Sequence, residues 1–200
     1  MIKAILMDYS GVVSQHGSLF EPMMDFCPNL TTEKSKDLFN TAKVGGMTNE
    51  EYMSNYPKEG WEWYFSEATV HEGLMSFLEE NKLPLYIASN HVSSLVQKEI
   101  DILGVRDYFK EIFISDKLKL AKPNKEFFLE ILNRVELTAQ EVIFIDDQKR
   151  NLATAKEMGM KTIWVNNTKV DPFGDNGDII PDAEVYNLSK LNELIKELSE

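Results

Sequence analysis

Short apolar runs alternate along this chain with segments of helical period. "IKAILM" near the N-terminus, "LPLYIAS" (83–89), "EIFIS" (111–115), "VIFID" (142–146) and "KTIWV" (161–165) read as five strands. Between them, Val92, Val96, Ile100 and Leu103 share one helical face, and Gly104 is placed to stop that helix. Phe128, Ile131, Leu132 and Val135 repeat the pattern, and Leu152 and Ala155 face inward on a later helix that Gly159 ends. Thr138 and Glu141 have capping-box spacing, although a strand beginning at Val142 leaves room there for only a turn. After the turn-rich "NNTKVDPFGDNGDII", "LSKLNELIKELSE" forms a closing helix. Strand and helix in alternation predict an α/β fold: a five-stranded parallel, Rossmann-like sheet with helices on its faces.

One segment breaks the alternation. Residues 15–76 contain no strand-like run, but hold "TTEKSKDLFNTA", a capping box at Thr48 and Glu51 ahead of "YMSNY", and the aromatic "WEWYF". We expect a helical insertion between strands one and two, too long for an ordinary connection. The division is then residues 1–14 and 77–200 in the core and 15–76 in the insertion. Trp61, Trp63, Tyr64 and Phe65 suit the small core of that insertion, or an aromatic wall over a substrate.

Composition narrows the partners. A chain of 200 residues with 43% hydrophobic residues can bury a sizeable core. A net charge of −12 argues against the nucleic-acid backbone and against an anionic membrane surface. It leaves room for a small anion, because a metal ion or a single lysine reverses the sign locally. The lone Cys27 cannot form an internal disulfide, no run approaches the ~18 apolar residues of a membrane span, and "AILM" is too short for a signal-peptide core. The expectation is a soluble, cytoplasmic protein.

Ligands of open parallel sheets bind beyond the carboxyl ends of the strands. Four polar features fall there: Asp8 after strand one, Ser89 and Asn90 after strand two, Lys122 in "LAKPNKEFF", and Asp146 with Asp147 ending strand four. Taken singly, each fits a turn, a helix cap or a solvated loop. Taken together they supply a nucleophile, phosphate hydrogen-bond donors, a cation and a site for a hard metal.

Those stretches resemble the haloacid dehalogenase-like hydrolases, mostly phosphatases, over almost the whole chain. "ILMDYSGVV" resembles the family's nucleophile motif, "LYIASN" the second, "KPNKEFF" the third, and "VIFIDDQKRNLATAKEMGM" the fourth, with Asn151, Ala155 and Gly159 on its helix. The insertion is similar to the family's α-helical cap. The resemblance implies that strands one and four are neighbours, which would bring Asp8 and Asp146 to one Mg²⁺. It implies that Asp8 attacks phosphorus. Asp8, Asp146 and the Ser10 carbonyl would hold the metal directly, with Asp147 one step further out. Ser89, the Asn90 amide and Lys122 would hold the phosphoryl oxygens, on a small phosphorylated metabolite such as a sugar phosphate.

One position departs from the pattern. Most family phosphatases carry a second aspartate two residues after the nucleophile, to protonate the leaving alcohol and later activate water; here it is Ser10. Such help is typically worth 10²–10⁴-fold, so Ser10 favours substrates with stable leaving groups, as in the sugar-phosphatase-like branch. Two alternatives follow. One is a phosphate-binding or interaction protein that has lost efficient turnover. The other is a 2-haloacid dehalogenase, which would keep Asp8 but lack the acidic pair Asp146–Asp147. His16, at the hinge into the insertion, is a candidate substrate contact; His71 and His91 are lesser ones.

Overall fold

The structure is a computed structural model, which describes residues 1–15, 23–166 and 179–200. Five strands fall where the apolar runs place them: β1 Ala4–Met7, β2 Leu85–Ser89, β3 Glu111–Ile114, β4 Val142–Asp146 and β5 Lys161–Val165. The expected count of five needs correction. A sixth, β6 (Ala183–Val185), extends the sheet, whose order is β3-β2-β1-β4-β5-β6 with every pairing parallel. Its three residues, "AEV", are too few to establish a period. What holds it is the neighbouring Asp182, whose carboxylate accepts from Thr162 N at 2.9 Å and Thr162 Oγ1 at 2.8 Å on β5.

Strand alternation divides the core into two layers. Ile5, Met7, Ile87, Ile143, Ile145 and Ile163 point to one face, where α4 (Leu74–Glu80), α5 (Ser93–Leu103) and α9 (Leu191–Ser199) pack through Phe77, Ile100 and Ile195. Leu6, Ala88, Phe113 and Phe144 point to the other, against Phe128 and Ile131 of α7 (Lys125–Val135) and Leu152 of α8 (Lys149–Glu157). Gly104 ends α5 in the left-handed region at φ +68°, and Gly159 follows α8 at φ +98°. Thr138 and Glu141 do form a capping box, over a single 3₁₀ turn, as the short spacing to β4 required.

Between β1 and β2 lie α1 (Thr32–Ala42), α2 (Asn49–Met53) and α3 (Lys58–Ser66), with the Thr48–Glu51 capping box opening α2. Phe39, Tyr52, Tyr56, Trp61, Tyr64 and Phe65 build a third apolar cluster, which reaches Val92 and Leu95 at the start of α5. These aromatic residues therefore form the insertion's own core. The chain entering and the chain leaving it are tied together: Gln15 N donates to Thr69 O at 2.8 Å and His71 N to Val13 O at 3.0 Å.

Candidate active site

β1 is flanked by β2 and β4, and the register sets the heights of the polar residues that follow each strand. Met7 pairs with Ile87 and with Ile145. Asp8 and Asp146 therefore stand side by side, and Ser89, buried at the end of β2, stands one pair beyond. The Asp8 N–H still donates to Ile145 O at 2.8 Å, so the backbone holds its place to the point where the side chain diverges. Asp8 is followed by a compact turn, in which Tyr9 N donates to Asp8 Oδ1 at 2.7 Å.

Lys122 arrives from the loop ahead of α7 and lies between the two carboxylates. Its Nζ is 2.8 Å from Asp8 Oδ1 and 2.7 Å from Asp146 Oδ2, with no exposed side-chain surface. Asn90 fixes the lysine's backbone from both sides: Asn90 Nδ2 donates to Lys122 O at 2.7 Å, and Lys122 N donates to Asn90 Oδ1 at 2.8 Å. Asp146, the last residue of β4, is held by the start of α8, accepting from Gln148 N at 2.7 Å and from Asn151 Nδ2 at 3.1 Å on both oxygens. Asp8, Asp146 and Asp147 each offer a carboxylate oxygen within 4.8 Å of the others. Three oxygen donors converging this closely suit a hard divalent cation.

The electrostatics of this group are strongly perturbed. Burial pushes the Asp8 carboxyl up to about 7; Lys122 pulls it down and Asp146 pushes it up. Burial also works against the Lys122 ammonium, but Asp146 and Asp8 outweigh it and hold its pKa above the ordinary lysine value. Nearby, burial and then the charge of Arg150 hold Lys43, the residue closing α1, below its ordinary value. The charge of Arg150, in the first turn of α8, thus reaches a lysine of the insertion. Two further contacts bring the insertion to the strand ends. The Phe39 ring meets His91 edge-on at 5.5 Å, and Lys119 Nζ donates to Gly45 O at 3.1 Å. A Cβ at Gly45, where φ is +68°, would fall 2.7 Å from Asp116 O, so only glycine permits this approach.

Asp8, Asn90, Lys122, Asp146 and Asp147 are therefore brought together, with Ser89 at the end of β2 and the half-buried Ser10 on the turn after Asp8. His16 lies outside the described residues. His91 is buried with its Nδ1 accepting from Val92 N at 2.9 Å, and burial lowers its pKa. His71 is buried beside the Glu72 carbonyl. Sequence reasoning overlooked Glu99, a buried carboxylate on α5. The signal was present: position 99 falls on the same helical face as Val92, Val96, Ile100 and Leu103.

Comparisons with known proteins bear on the family and the fold. The haloacid dehalogenase-like hydrolase family matches residues 14–165. A glyceraldehyde 3-phosphate phosphatase from Methanopyrus kandleri is 28% identical over 99 residues, 48% of this chain and 42% of the relative. The chain thus spans about half the length, or less, of such curated relatives. Among solved structures, a 2-haloacid dehalogenase from Pseudomonas syringae pv. Tomato superimposes with TM-score 0.70 at 20% identity, covering 98% of this chain and 99% of that one. A haloacid dehalogenase family enzyme from Bacteroides thetaiotaomicron, in complex with magnesium and inorganic phosphate, gives TM-score 0.68 at 21% identity, covering 86% and 98%. At such identities the superpositions show the fold alone. With the match across most of its length and the four polar stretches at one edge of the sheet, this chain belongs to the haloacid dehalogenase-like hydrolases.

Proposed function

We propose that the protein is a Mg²⁺-dependent phosphohydrolase acting on small phosphorylated metabolites through an aspartyl-phosphate on Asp8. The observation that carries this reading is the convergence of Asp8, Asp146 and Asp147 within 4.8 Å, with Lys122 between the first two. The all-oxygen donor set fits Mg²⁺, held by Asp8, Asp146 and the Ser10 carbonyl with Asp147 further out. Bound there, Mg²⁺ would neutralise the carboxylates and polarise the phosphoryl oxygens.

The protein's own residues account for the remaining steps. An Asp8 oxygen attacks phosphorus, the ester P–O bond breaks, and the alkoxide departs; this divides one difficult displacement into two easier ones. Lys122, Ser89 and the Asn90 amide hold the phosphoryl oxygens, where charge stabilisation is usually the largest contribution. Asn151 and Gln148 keep Asp146 aimed while that happens. Water then opens the aspartyl-phosphate. Ser10 cannot serve as acid or base near neutrality, so leaving groups that depart without a proton, such as anomeric sugar phosphates or acyl phosphates, are the favoured class. Residues 15–76 act as a cap that excludes water during transfer. The Lys43 and Arg150 cations favour an anionic substrate there.

Ser10 also supports a second reading, a phosphate-binding protein without efficient turnover. A phosphate panel, from acetyl phosphate and sugar 1-phosphates to glycerol phosphate, decides between them when run with and without Mg²⁺ on the native protein and on Asp8→Asn. We expect turnover only in the native protein with Mg²⁺, and a Mg²⁺-dependent rise in melting temperature. Turnover retained by Asp8→Asn rules out the covalent route. A melting shift with no turnover on any substrate selects the binding protein.

A further inference from the structure

Glu99 lies well inside α5, on the stripe that seats this helix on the sheet, and is 1% exposed. A carboxylate there is costly unless its lone pairs are satisfied. Two hydroxyls from separate parts of the chain do this. Ser14 Oγ donates to Glu99 Oε1, and Tyr64 OH donates to Oε2 at 2.5 Å. Both donors are themselves buried, at 0% and 1% exposure.

What these two residues belong to gives the contact its meaning. Ser14 closes the turn that opens at Asp8: the Tyr9 carbonyl accepts from Val12, Val13 and Ser14 N at 3.3, 2.8 and 2.9 Å, and Gly11 N donates to Ser14 O at 2.7 Å. Gly11 adopts φ +83°, which this turn requires. Tyr64 belongs to α3 of the insertion. The Tyr9 ring, fully buried, lies in the field of the same carboxylate; burial first, then Glu99, hold the Tyr9 and Tyr64 phenols well above their ordinary pKa. Tyr64 therefore remains a donor at any physiological pH. The helix carrying Glu99 follows Ser89 and Asn90 in the chain. One side chain thus joins the Asp8 turn, the insertion and the element behind the β2 loop.

We propose that Glu99 is a positioning residue that couples the seating of the insertion to the order of the Asp8 turn. With Tyr64 bound to one oxygen, the carboxylate plane is fixed and its other oxygen holds Ser14 in place. When the insertion lifts, Tyr64 withdraws, the carboxylate is left one donor short in a buried setting, and it turns toward the Tyr9 hydroxyl, which is buried without a hydrogen-bond partner. The far end of the Asp8 turn is then released. The nucleophile is accordingly held for attack only when the insertion covers the strand ends, which confines chemistry to the closed form. A bond between hydroxyl and carboxylate suits this better than apolar packing, because it is directional and charge-assisted. The kinetic consequence rests on the phosphohydrolase reading; the structural coupling does not.

The test is Tyr64→Phe, which removes one hydroxyl and keeps the ring in its packing. Two quantities are measured: kcat and KM for p-nitrophenyl phosphate at saturating Mg²⁺, and amide hydrogen exchange at residues 11–14 without substrate. The expected result is a fall in kcat of about tenfold, the scale of one charge-assisted hydrogen bond, with KM little changed and exchange at 11–14 accelerated by a similar factor. Tyr64→Phe combined with Ser14→Ala should be no worse than the worse single change, since both cut one tie. Glu99→Gln is the second variant, needed if Tyr64→Phe does not fold, and it must accelerate the same amides. A folded variant with a lower melting temperature but unchanged exchange, or unchanged kcat in an active enzyme, overturns the proposal and leaves Glu99 a core contact. If the native protein turns over no phosphate, the hydrolase reading fails, and exchange alone still decides the coupling.

Discussion

Two buried polar groups of this molecule solve the same problem differently. At the carboxyl ends of β1 and β4, Asp8 and Asp146 are compensated by the Lys122 ammonium, at 2.8 and 2.7 Å. On α5, Glu99 is compensated by two hydroxyls, from Ser14 and Tyr64. In the first group two buried carboxylates share one lysine, with Asp147 close by, and Asp8 is driven up to about 7. That arrangement is electrostatically incomplete, and a cation entering it is stabilised. The second group matches each oxygen to a donor and forms a tie. Charge left in deficit marks a site for chemistry; charge met by hydroxyls marks a joint.

The largest effect should come from breaking the first group. Lys122→Met leaves two adjacent buried carboxylates without their ammonium, a change that typically costs ~3–5 kcal/mol, and also removes the phosphoryl contact proposed for it. Melting should fall steeply and turnover should drop to background. Mg²⁺ should recover more of the melting temperature in this variant than in the native protein. A variant that melts like the native protein without metal would refute the compensation described here.

Adding an acid to the same edge tests the chemistry. Ser10→Asp should raise rates on simple alkyl phosphates by up to ~10²–10⁴ and change acyl phosphates little, as kcat/KM across a leaving-group series will show. A native protein whose rates are flat across that series already has a proton source, and His16 would be the first residue to replace.

The third test is the pH dependence of stability. The folded pKa of Asp8, about 7, lies above the ordinary 3.8, so the folded state retains a proton that the unfolded chain releases. Its contribution is therefore complete below about pH 3.8 and is lost as pH rises through about 7. Without metal, the native protein should lose melting temperature between about pH 4 and 7 relative to Asp8→Asn, and Mg²⁺ should restore it at the upper end. Parallel curves for the two proteins would contradict the raised pKa.

Much of the site was legible because each residue follows an apolar strand and the strands are short, contiguous runs. "VIFID" and "KTIWV" coincide with β4 and β5 residue for residue. The capping boxes at Thr48–Glu51 and Thr138–Glu141 were readable for the same reason, since both partners lie within one turn. β6 was not, because three residues anchored to β5 by the Asp182 carboxylate have no local period. Glu99 was placed on the inward face by its spacing, but its donors lie 85 and 35 residues away in the chain.

The sequence by itself determined the alternation of strand and helix, the helical character of the insertion, and the identity of the polar residues at the strand ends. These are properties of local period and composition, which a few consecutive residues carry. The tertiary structure decided the rest. Parallel pairing of β1 with both β2 and β4 set Asp8 beside Asp146, and the loop ahead of α7 delivered Lys122 between them. Packing of α3 over α5 turned an isolated acidic residue into the meeting point of the insertion and the Asp8 turn. A carboxylate's energy depends on what surrounds it in space, and for Glu99 those neighbours are distant in the chain.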